Sequence, residues 1–229
     1  MDNFSADQHA AAVDQYIYDA LELHDPLFEA GRERAHAAGL PQIEVSAAQG
    51  KFLKLLIELL GAQRVLEVGT LGGFSTSWMA RAVGPQGQVV TCEFEPLHAR
   101  IATENLRQAD LEQRVQINVG AAANTLGELI AQGTEPFDVI FIDADKRNNV
   151  TYLELAMDLS HAGTLIIVDN VVRGGAILQE ATDAETQDPD IRGIQQTYRW
   201  LAEDPRVDAT ALQTVGSKGW DGLAFARVL

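Results

Sequence analysis

Apolar residues recur at helical spacing through the first sixty residues of the chain. In the third such stretch, Ser46 is a suitable N-cap just ahead of the apolar positions. Those positions share one helical face and are Phe52, Leu55, Leu56, Leu59 and Leu60. The pattern predicts three N-terminal helices, over Asp7–Leu23, Pro26–Ala38 and Ser46–Leu60.

From Arg64 onward, short β-rich runs alternate with helical segments. This alternation predicts βαβ units and a parallel sheet. The predicted strands are Arg64–Val68, Gln88–Glu93, Val115–Val119, Phe137–Asp143 and Thr164–Asp169. The helices between them are predicted over Ser75–Val83, Pro96–Ala109, Asn124–Gln132 and Val150–Leu159.

The last third of the chain has a different pattern. A polar stretch, Asp183–Asp190, precedes a predicted helix over Ile191–Glu203. Two further β-rich runs, Val207–Val215 and Gly222–Val228, are separated only by Gly216–Asp221, which is too short for a crossover helix, so they should pair antiparallel. The sequence therefore predicts an α/β fold with a mostly parallel seven-stranded sheet, a C-terminal antiparallel hairpin and helices on both faces.

No repeat or Pro/Gly linker interrupts the 229 residues, and a chain of this length can bury one sizeable core. We therefore expect a single domain over residues 1–229. Residues 1–60 would form N-terminal helices that act as a lid or a dimer region, and residues 61–229 would form the core.

Composition narrows the classes of function. The chain carries 17 basic and 33 acidic residues, a formal charge of −16, which disfavours binding to nucleic acid. It has no apolar run of transmembrane length and no signal-peptide pattern at its start, so we expect a cytoplasmic protein without a membrane partner. The lone Cys92 excludes an internal disulfide and a Cys-rich zinc site, and its position within an apolar run favours a core residue.

A glycine-rich turn follows the first predicted strand, at the usual cofactor position of an open α/β sheet. Gly69 allows a sharp turn there, and Gly72 or Gly73 lets the backbone approach a ligand, but the spacing differs from the dinucleotide pattern G-x-G-x-x-G. The acidic Glu67 suits a cationic amino acid or a sulfonium better than a pyrophosphate. A tight turn without a ligand remains an alternative.

Glu93 ends the second strand about twenty residues after these glycines, where a carboxylate commonly accepts hydrogen bonds from ribose hydroxyls. Without other evidence, Glu93 would be interpreted as a solvent-exposed residue at the end of a strand. Beside the glycine turn, it favours an adenosine cofactor.

Polar residues also end two later strands: Asp143 ends one, and Asp169 and Asn170 end the next. Neighbouring parallel strands lie about 4.8 Å apart, so these side chains could converge at one edge of the sheet. Two carboxylates and an amide suit a hard divalent ion, most simply Mg²⁺, with Mn²⁺ or Ca²⁺ as alternatives. Helix capping is the other explanation for such residues.

Lys146 lies three residues past Asp143 and could face the same crevice. A lysine beside a dication has its charged form disfavoured, so it could accept a proton from a substrate hydroxyl. A solvent-facing lysine is the alternative. The sequence contains neither a G-x-S-x-G elbow nor a P-loop, so acyl hydrolysis and NTP hydrolysis lack support.

Taken together, these motifs resemble the cation-dependent O-methyltransferases of the caffeoyl-CoA and catechol type. The resemblance rests on E-V-G-T-x-x-G-x-S at Glu67–Ser75, on Glu93, on D-A-D-K at Asp143–Lys146 and on D-N at Asp169–Asn170. It extends upstream to residues 46–53 and downstream to residues 204–208, and so spans most of the chain after about residue 40.

The resemblance implies a Rossmann-like class I methyltransferase fold and S-adenosylmethionine as cofactor. The implied cofactor contacts are Val45, Glu67, Gly69, Thr70, Ser75 and Asp143, together with Glu93 for the ribose and with Ala122 and Asp145 towards the adenine end. The implied metal ligands are Asp143, Asp169 and Asn170, and Lys146 is the implied base, with Asp143 beside it. Members of this family commonly form dimers and methylate catechol-like rings.

The chain departs from the family pattern at several positions. Arg173-Gly174 replaces an aromatic and a polar residue, Asn149 replaces a tyrosine, and Ser217–Trp220 is inserted in the terminal hairpin. Upstream, Gln49 and Lys51 stand where Glu and Gln are frequent. All but the upstream changes touch the expected rim of the acceptor site, where Arg173 could pair with an acceptor carboxylate or phosphate or simply face solvent.

The expected function is therefore metal-assisted methyl transfer from S-adenosylmethionine to a small phenolic hydroxyl. A NAD-dependent oxidoreductase would share the glycine turn and the ribose acid without needing the Asp143, Asp169 and Asn170 group. A non-catalytic adenosyl-binding protein would tolerate the loss of Lys146. Both remain alternatives at this point.

Overall fold

A computed structural model of the chain describes residues 6–179 and 188–229. Most of the polar stretch noted at Asp183–Asp190 lies outside these residues. The helices are α1 (Ala6–Ala20), α2 (Pro26–Ala37), α3 (Ala47–Leu60), α4 (Phe74–Ala82), α5 (Pro96–Gln108), α6 (Ala122–Ala131), α7 (Asn149–Asp158) and α8 (Pro189–Glu203). The strands are β1 (Arg64–Val68), β2 (Gln88–Glu93), β3 (Val115–Val119), β4 (Phe137–Ile142), β5 (Ser160–Asp169), β6 (Val207–Gly216) and β7 (Gly219–Val228).

The strands form one seven-stranded sheet in the order β3-β2-β1-β4-β5-β7-β6. β1 pairs parallel with β2, β2 with β3, and β4 with β5, whereas β7 runs antiparallel to both β5 and β6. The predicted mostly parallel sheet with a C-terminal hairpin is therefore confirmed.

The chain divides into two compact units. One comprises Ala12–Thr125 and holds β1 to β3. The other comprises the described residues of Leu126–Leu229, together with residues 6–11, and holds β4 to β7. Within the described residues, no helix combines the length and the apolar character needed to cross a membrane.

Local sequence signals explain most element boundaries. The side chain of Ser46 accepts a hydrogen bond from the backbone N–H of Gln49 at 3.1 Å, so it caps α3 as predicted. At the other end of α3, Gly61 adopts a left-handed conformation with φ 62°. The interiors of β1 and β4 are almost wholly buried, as expected for strands covered on both faces.

Several predicted boundaries differ from the structure by a few residues, and the differences in β5 and in the terminal hairpin have a clear physical cause. β5 starts at Ser160 rather than at Thr164, because its first residues pair with β4 ahead of a register shift, and Gly163 within this irregular segment has φ 99°. The terminal hairpin is also longer than predicted. Gly216 pairs with Gly219, so only two residues connect β6 and β7, and Trp220 belongs to β7.

Candidate active site

The glycine turn connects β1 to α4 within the first unit. Gly69 has φ 105° and Gly73 has φ 80°, conformations that favour glycine, and Leu71 between them has φ 50°. The N–H of Gly69 donates to the carbonyl of Cys92 at 3.0 Å, and the N–H of Gly73 donates to the carbonyl of Thr70 at 2.9 Å. The turn therefore has a defined, partly strained backbone.

Glu67 lies under this turn and is fully buried. Its Oε1 accepts from the Ser75 hydroxyl at 2.6 Å. Its Oε2 accepts from the hydroxyls of Thr76 at 2.5 Å and Thr91 at 2.6 Å. The carboxylate thus joins the end of β1 to β2 and to the first turn of α4, and three hydroxyl donors offset the cost of its burial.

Glu93 holds the same turn from the end of β2. Its Oε2 accepts from the backbone N–H of Thr70 at 3.2 Å and of Leu71 at 2.7 Å. Its Oε1 accepts from the N–H of Glu95 at 2.9 Å and lies 3.3 Å from Nδ1 of His98. Sequence reasoning missed this role of Glu93 as an anchor of the glycine turn, because nothing in the local sequence indicates which backbone groups a strand-terminal carboxylate will meet.

Cys92 precedes Glu93 on β2 and pairs with Val68, the residue that follows Glu67 on β1. Burial, and then the charges of Glu67 and Glu93, raise the pKa of the Cys92 thiol to about 12. The thiol is therefore protonated at neutral pH. Its buried position is the core role predicted from the sequence.

The remaining predicted cofactor residues of this unit are placed as follows. Val45 is buried and precedes Ser46, the N-cap of α3, and Ala122 is the first residue of α6. Thr70 is buried, and its hydroxyl lies 2.6 Å from that of Thr91 and donates to the carbonyl of Cys92 at 3.2 Å. The structure thus brings Glu67, Thr70, Ser75 and Glu93 into one hydrogen-bonded group around the glycine turn.

In the second unit, β4 and β5 pair in parallel with Ile142 opposite Val168. Asp143 and Asp169 directly follow these two residues, and neighbouring strands lie about 4.8 Å apart, so the two residues come close together. Asn170 comes next in the left-handed conformation, with φ 57°. The structure therefore brings the two predicted carboxylates to the same edge of the sheet.

Hydrogen bonds orient these side chains. Lys146 Nζ donates to Asp143 Oδ1 at 2.9 Å. Asp169 Oδ1 accepts from the backbone N–H of Asn170 at 2.7 Å and from its side-chain Nδ2 at 3.3 Å. Lys146 is only 4% exposed, which excludes the alternative of a solvent-facing lysine.

The donor set fits a hard divalent cation, because it offers carboxylate and amide oxygens. Over residues 6–179 and 188–229, no group of three or more His, Cys, Asp or Glu side chains is placed to hold a metal. The predicted ligands comprise only two such residues, and the third is an amide. They suit Mg²⁺ and not a zinc site of histidines and cysteines.

Asp145 is exposed and belongs to a local network. Its Oδ1 accepts from the Tyr152 hydroxyl at 2.6 Å, and its Oδ2 accepts from the side chain of Asn148. Asn149, one of the residues that depart from the family pattern, is fully buried, and neither atom of its amide has a hydrogen-bond partner among residues 6–179 and 188–229.

The loop after Asn170 is fixed by the terminal hairpin. Asp221 Oδ1 accepts from the backbone N–H groups of Val172 and Arg173, each at 3.0 Å. The ring of Trp220 lies 3.0 Å from the point where a Cβ on Gly175 would stand. Trp220, one of the inserted residues, and the neighbouring Asp221 thus contact the loop that carries Arg173, whose side chain is exposed.

Sequence reasoning also missed Gly193 on α8. A Cβ at this position would stand 2.2 Å from the carbonyl oxygen of Lys146, so α8 packs directly on the segment that carries the lysine. A glycine inside an amphipathic helix is the signal that could have identified this close approach.

Comparisons with known proteins agree with this arrangement. A family model described as O-methyltransferase matches residues 19–228. A catechol O-methyltransferase of Mycobacterium tuberculosis is 51% identical over 216 residues, which cover 94% of each chain. One from Niastella koreensis is 44% identical over 217 residues, covering 95% of this chain and 96% of the relative. The structure of an O-methyltransferase from Bacillus cereus in complex with SAH is 48% identical, with a TM-score of 0.92 over 96% of this chain and 99% of that one.

Proposed function

Since the chain belongs to the O-methyltransferase family and is an S-adenosylmethionine-dependent O-methyltransferase, we propose that it methylates a small catechol-like phenol with the help of a divalent cation. The similar solved structures confirm the Rossmann-like class I methyltransferase fold. The observation that carries the proposal is the pairing of Ile142 with Val168, which brings Asp143 beside Asp169.

We assign the cofactor to the glycine turn and the residues around it. The backbone of Gly69 and Thr70 would contact the amino-acid end of the cofactor. Glu67 and Ser75 would stabilise the conformation of the turn. The Glu93 carboxylate would take the ribose hydroxyls. Val45, Ala122 and Asp145 would complete the contacts, the last two towards the adenine. Bound S-adenosylmethionine supplies the electrophilic methyl group.

Asp143, Asp169 and Asn170 would hold the cation, most simply Mg²⁺, with Mn²⁺ or Ca²⁺ as alternatives. When bound, such an ion would lower the pKa of a coordinated hydroxyl towards neutrality and offset the charge of the resulting oxygen anion. Because the asparagine amide is neutral, only the two carboxylates contribute negative charge to the ligand set.

Lys146 would take the proton from the acceptor hydroxyl onto its Nζ atom. Its near-complete burial keeps competing water away from this proton transfer, and its hydrogen bond to Asp143 fixes the position of Nζ. Alignment of the deprotonated oxygen with the methyl carbon then accounts for much of the rate.

The proposed cation site and the names of two relatives support the acceptor class. Two vicinal hydroxyls can chelate a metal with open positions, and two similar proteins are named catechol O-methyltransferases. The open alternatives, a NAD-dependent oxidoreductase and a non-catalytic adenosyl-binding protein, have no support from the family match.

A product assay tests the acceptor class. Purified protein with S-adenosylmethionine and Mg²⁺ is offered a panel of catechols and the matching monophenols, and products are identified by mass spectrometry. We expect singly methylated catechols and far slower reaction of the monophenols. Absence of product from every catechol would refute the acceptor class, and equal rates for both classes would refute chelation.

We also propose that the protein is a cytoplasmic homodimer and does not bind nucleic acid. In each chain, residues 1–229 would form one domain. Support for the dimer comes from α3, where Phe52, Leu55 and Leu59 form an exposed apolar stripe and Leu59 is 82% exposed. Single exposed apolar residues are common, but an aligned row on one helix is typical of an interface. The net charge of −16 supports the exclusion of nucleic acid.

A further inference from the structure

Asn105 on α5 joins three segments of the first unit around the glycine turn. Its Nδ2 donates to the carbonyl of Gly31 on α2 at 2.9 Å and to the carbonyl of Gly72 in the turn at 2.8 Å. Its Oδ1 accepts a hydrogen bond from Arg34, also on α2. The side chain is only 5% exposed, and both amide hydrogens are used.

The same junction is closely packed. A Cβ on Gly72 would stand 2.9 Å from the Cβ of Ala35, and a Cβ on Gly31 would stand 3.2 Å from Cγ of Asn105. Leu71 packs against a small buried cluster that includes Ala35 and Leu40. The turn therefore contacts α2 with no space for an additional methyl group.

The backbone of the turn needs such support. Gly69, Leu71 and Gly73 all have positive φ, and a leucine is strained in this conformation. Strained conformations persist only where their surroundings fix them. Glu93 fixes the N–H groups of Thr70 and Leu71, and Asn105 fixes the carbonyl of Gly72 at the other end of the turn.

We propose that Asn105 is a positioning residue for the cofactor: it locks the glycine turn to α2 in the conformation that binds S-adenosylmethionine. This inference rests on the proposed assignment of the turn to the cofactor. It gives α2 a part in cofactor binding, although α2 belongs to the N-terminal region that the sequence suggested as a lid or dimer region. Asparagine suits the position because one side chain supplies two donors and one acceptor; aspartate lacks the donors and leucine lacks all three.

Calorimetric titration with S-adenosylmethionine tests the inference. Asn105→Ala should raise the dissociation constant about tenfold or more, the effect of one well-placed hydrogen bond, while kcat at saturating cofactor changes little. The matched control is Thr103→Ala on the same helix, which removes only a hydrogen bond to the carbonyl of Ala99. This control should leave the dissociation constant unchanged. Equal affinities for Asn105→Ala and the parent would overturn the proposal.

A second pair of variants tests the same contact with Asn105 intact, in case Asn105→Ala does not fold. Gly72→Ala should push the turn away from α2 and weaken cofactor binding. Adding Ala35→Gly removes the clashing methyl group and should restore most of the affinity. Failure of the double variant to recover affinity would contradict the positioning role.

Hydrogen exchange separates this inference from the assignment on which it rests. In the parent protein, S-adenosylmethionine should slow exchange of the Gly69 and Gly73 amides. If it does not, the cofactor assignment fails. If it does, but Asn105→Ala neither speeds exchange at Gly73 nor weakens binding, only the role of Asn105 fails.

Discussion

Lys146 carries the most specific chemical role at the scale of single residues. Replacement by methionine removes the proton acceptor, and we expect kcat to fall by about 10²- to 10⁴-fold, with cofactor affinity retained. Lys146→Arg is the matched variant, because arginine keeps the charge beside Asp143 but does not give up its proton. Steady-state kinetics with a catechol measures both. An arginine variant as active as the parent would show that Lys146 acts through its charge alone.

Cys92 provides a test of the electrostatics under the glycine turn. A free thiol ionises near pH 8.5 in the unfolded chain, and folding raises the pKa of Cys92 to about 12. The folded state therefore keeps a proton that the unfolded state loses. The contribution of this proton to the free energy of unfolding is present in full below about pH 8.5. It is lost as the pH rises towards 12, by up to about 1.4 kcal/mol per pH unit.

Urea unfolding at pH 7.5 and pH 10 measures this effect. Between the two pH values, the parent should lose more unfolding free energy than Cys92→Ala, because the variant has no thiol to ionise. The folded parent should also react slowly with a thiol reagent at pH 8. Rapid labelling without unfolding, or equal losses in the two proteins, would contradict the buried environment of the thiol.

Single residues were predictable from sequence where a strand end fixes their position. Asp143 and Asp169 lie side by side because both directly follow a paired position, and the parallel sheet made this placement foreseeable. Asn105 and Asp221 were not foreseeable, because their partners are backbone groups from 33 to 74 residues away. Side-chain hydrogen bonds to distant backbone leave no periodic pattern in the sequence.

At the scale of elements, the packing of α8 on the lysine segment can be tested with one methyl group. Gly193→Ala places a Cβ against the backbone of Lys146 and Arg147, which cannot move as a flexible side chain would. We expect a loss of about 1–3 kcal/mol in unfolding free energy and a lower kcat, although alanine favours the helix. Chemical denaturation and kinetics provide the two readouts.

The matched control is Gly127→Ala on α6, where an added Cβ would meet nothing within 4 Å. The free energy of unfolding of this variant should rise by up to about 1 kcal/mol, which is the ordinary helix preference of alanine over glycine. A Gly193→Ala variant that gains stability in the same way would show that α8 does not press on Lys146.

Elements were predicted well where periodicity and caps agree, as in α3 between Ser46 and Gly61. The ends of elements were less predictable where pairing with a neighbouring strand, rather than the local sequence pattern, sets the boundary. The early start of β5 depends on a register shift near Gly163, and the length of the hairpin depends on pairing between Gly216 and Gly219. Both are set by hydrogen bonds to another strand rather than by local preference.

At the scale of the whole molecule, the alternation of short strands and helices was enough to predict the fold class, because few topologies satisfy it. The division of the chain into two compact units was not predictable, since no linker or change in composition marks it.

The proposed homodimer is a second property of the whole molecule. Leu59→Glu puts a charge on the most exposed residue of the apolar stripe on α3 and should convert the parent dimer to monomer at micromolar concentration, as measured by sedimentation velocity. Leu97→Glu is the control, because Leu97 is also exposed, at 43%, but lies on α5. A monomeric parent, or equal dissociation by both variants, would contradict the assignment of α3 as the interface.

The most direct test of the whole account is the metal dependence of methyl transfer. Purified protein is stripped with EDTA, and turnover of a catechol with S-adenosylmethionine is measured before and after addition of Mg²⁺, for the parent and for Asp169→Ala. We expect the stripped parent to lose nearly all turnover and to regain it with Mg²⁺, and the variant to stay inactive while still binding S-adenosylmethionine. Full turnover in EDTA, or an active Asp169→Ala variant, would contradict the metal-assisted mechanism.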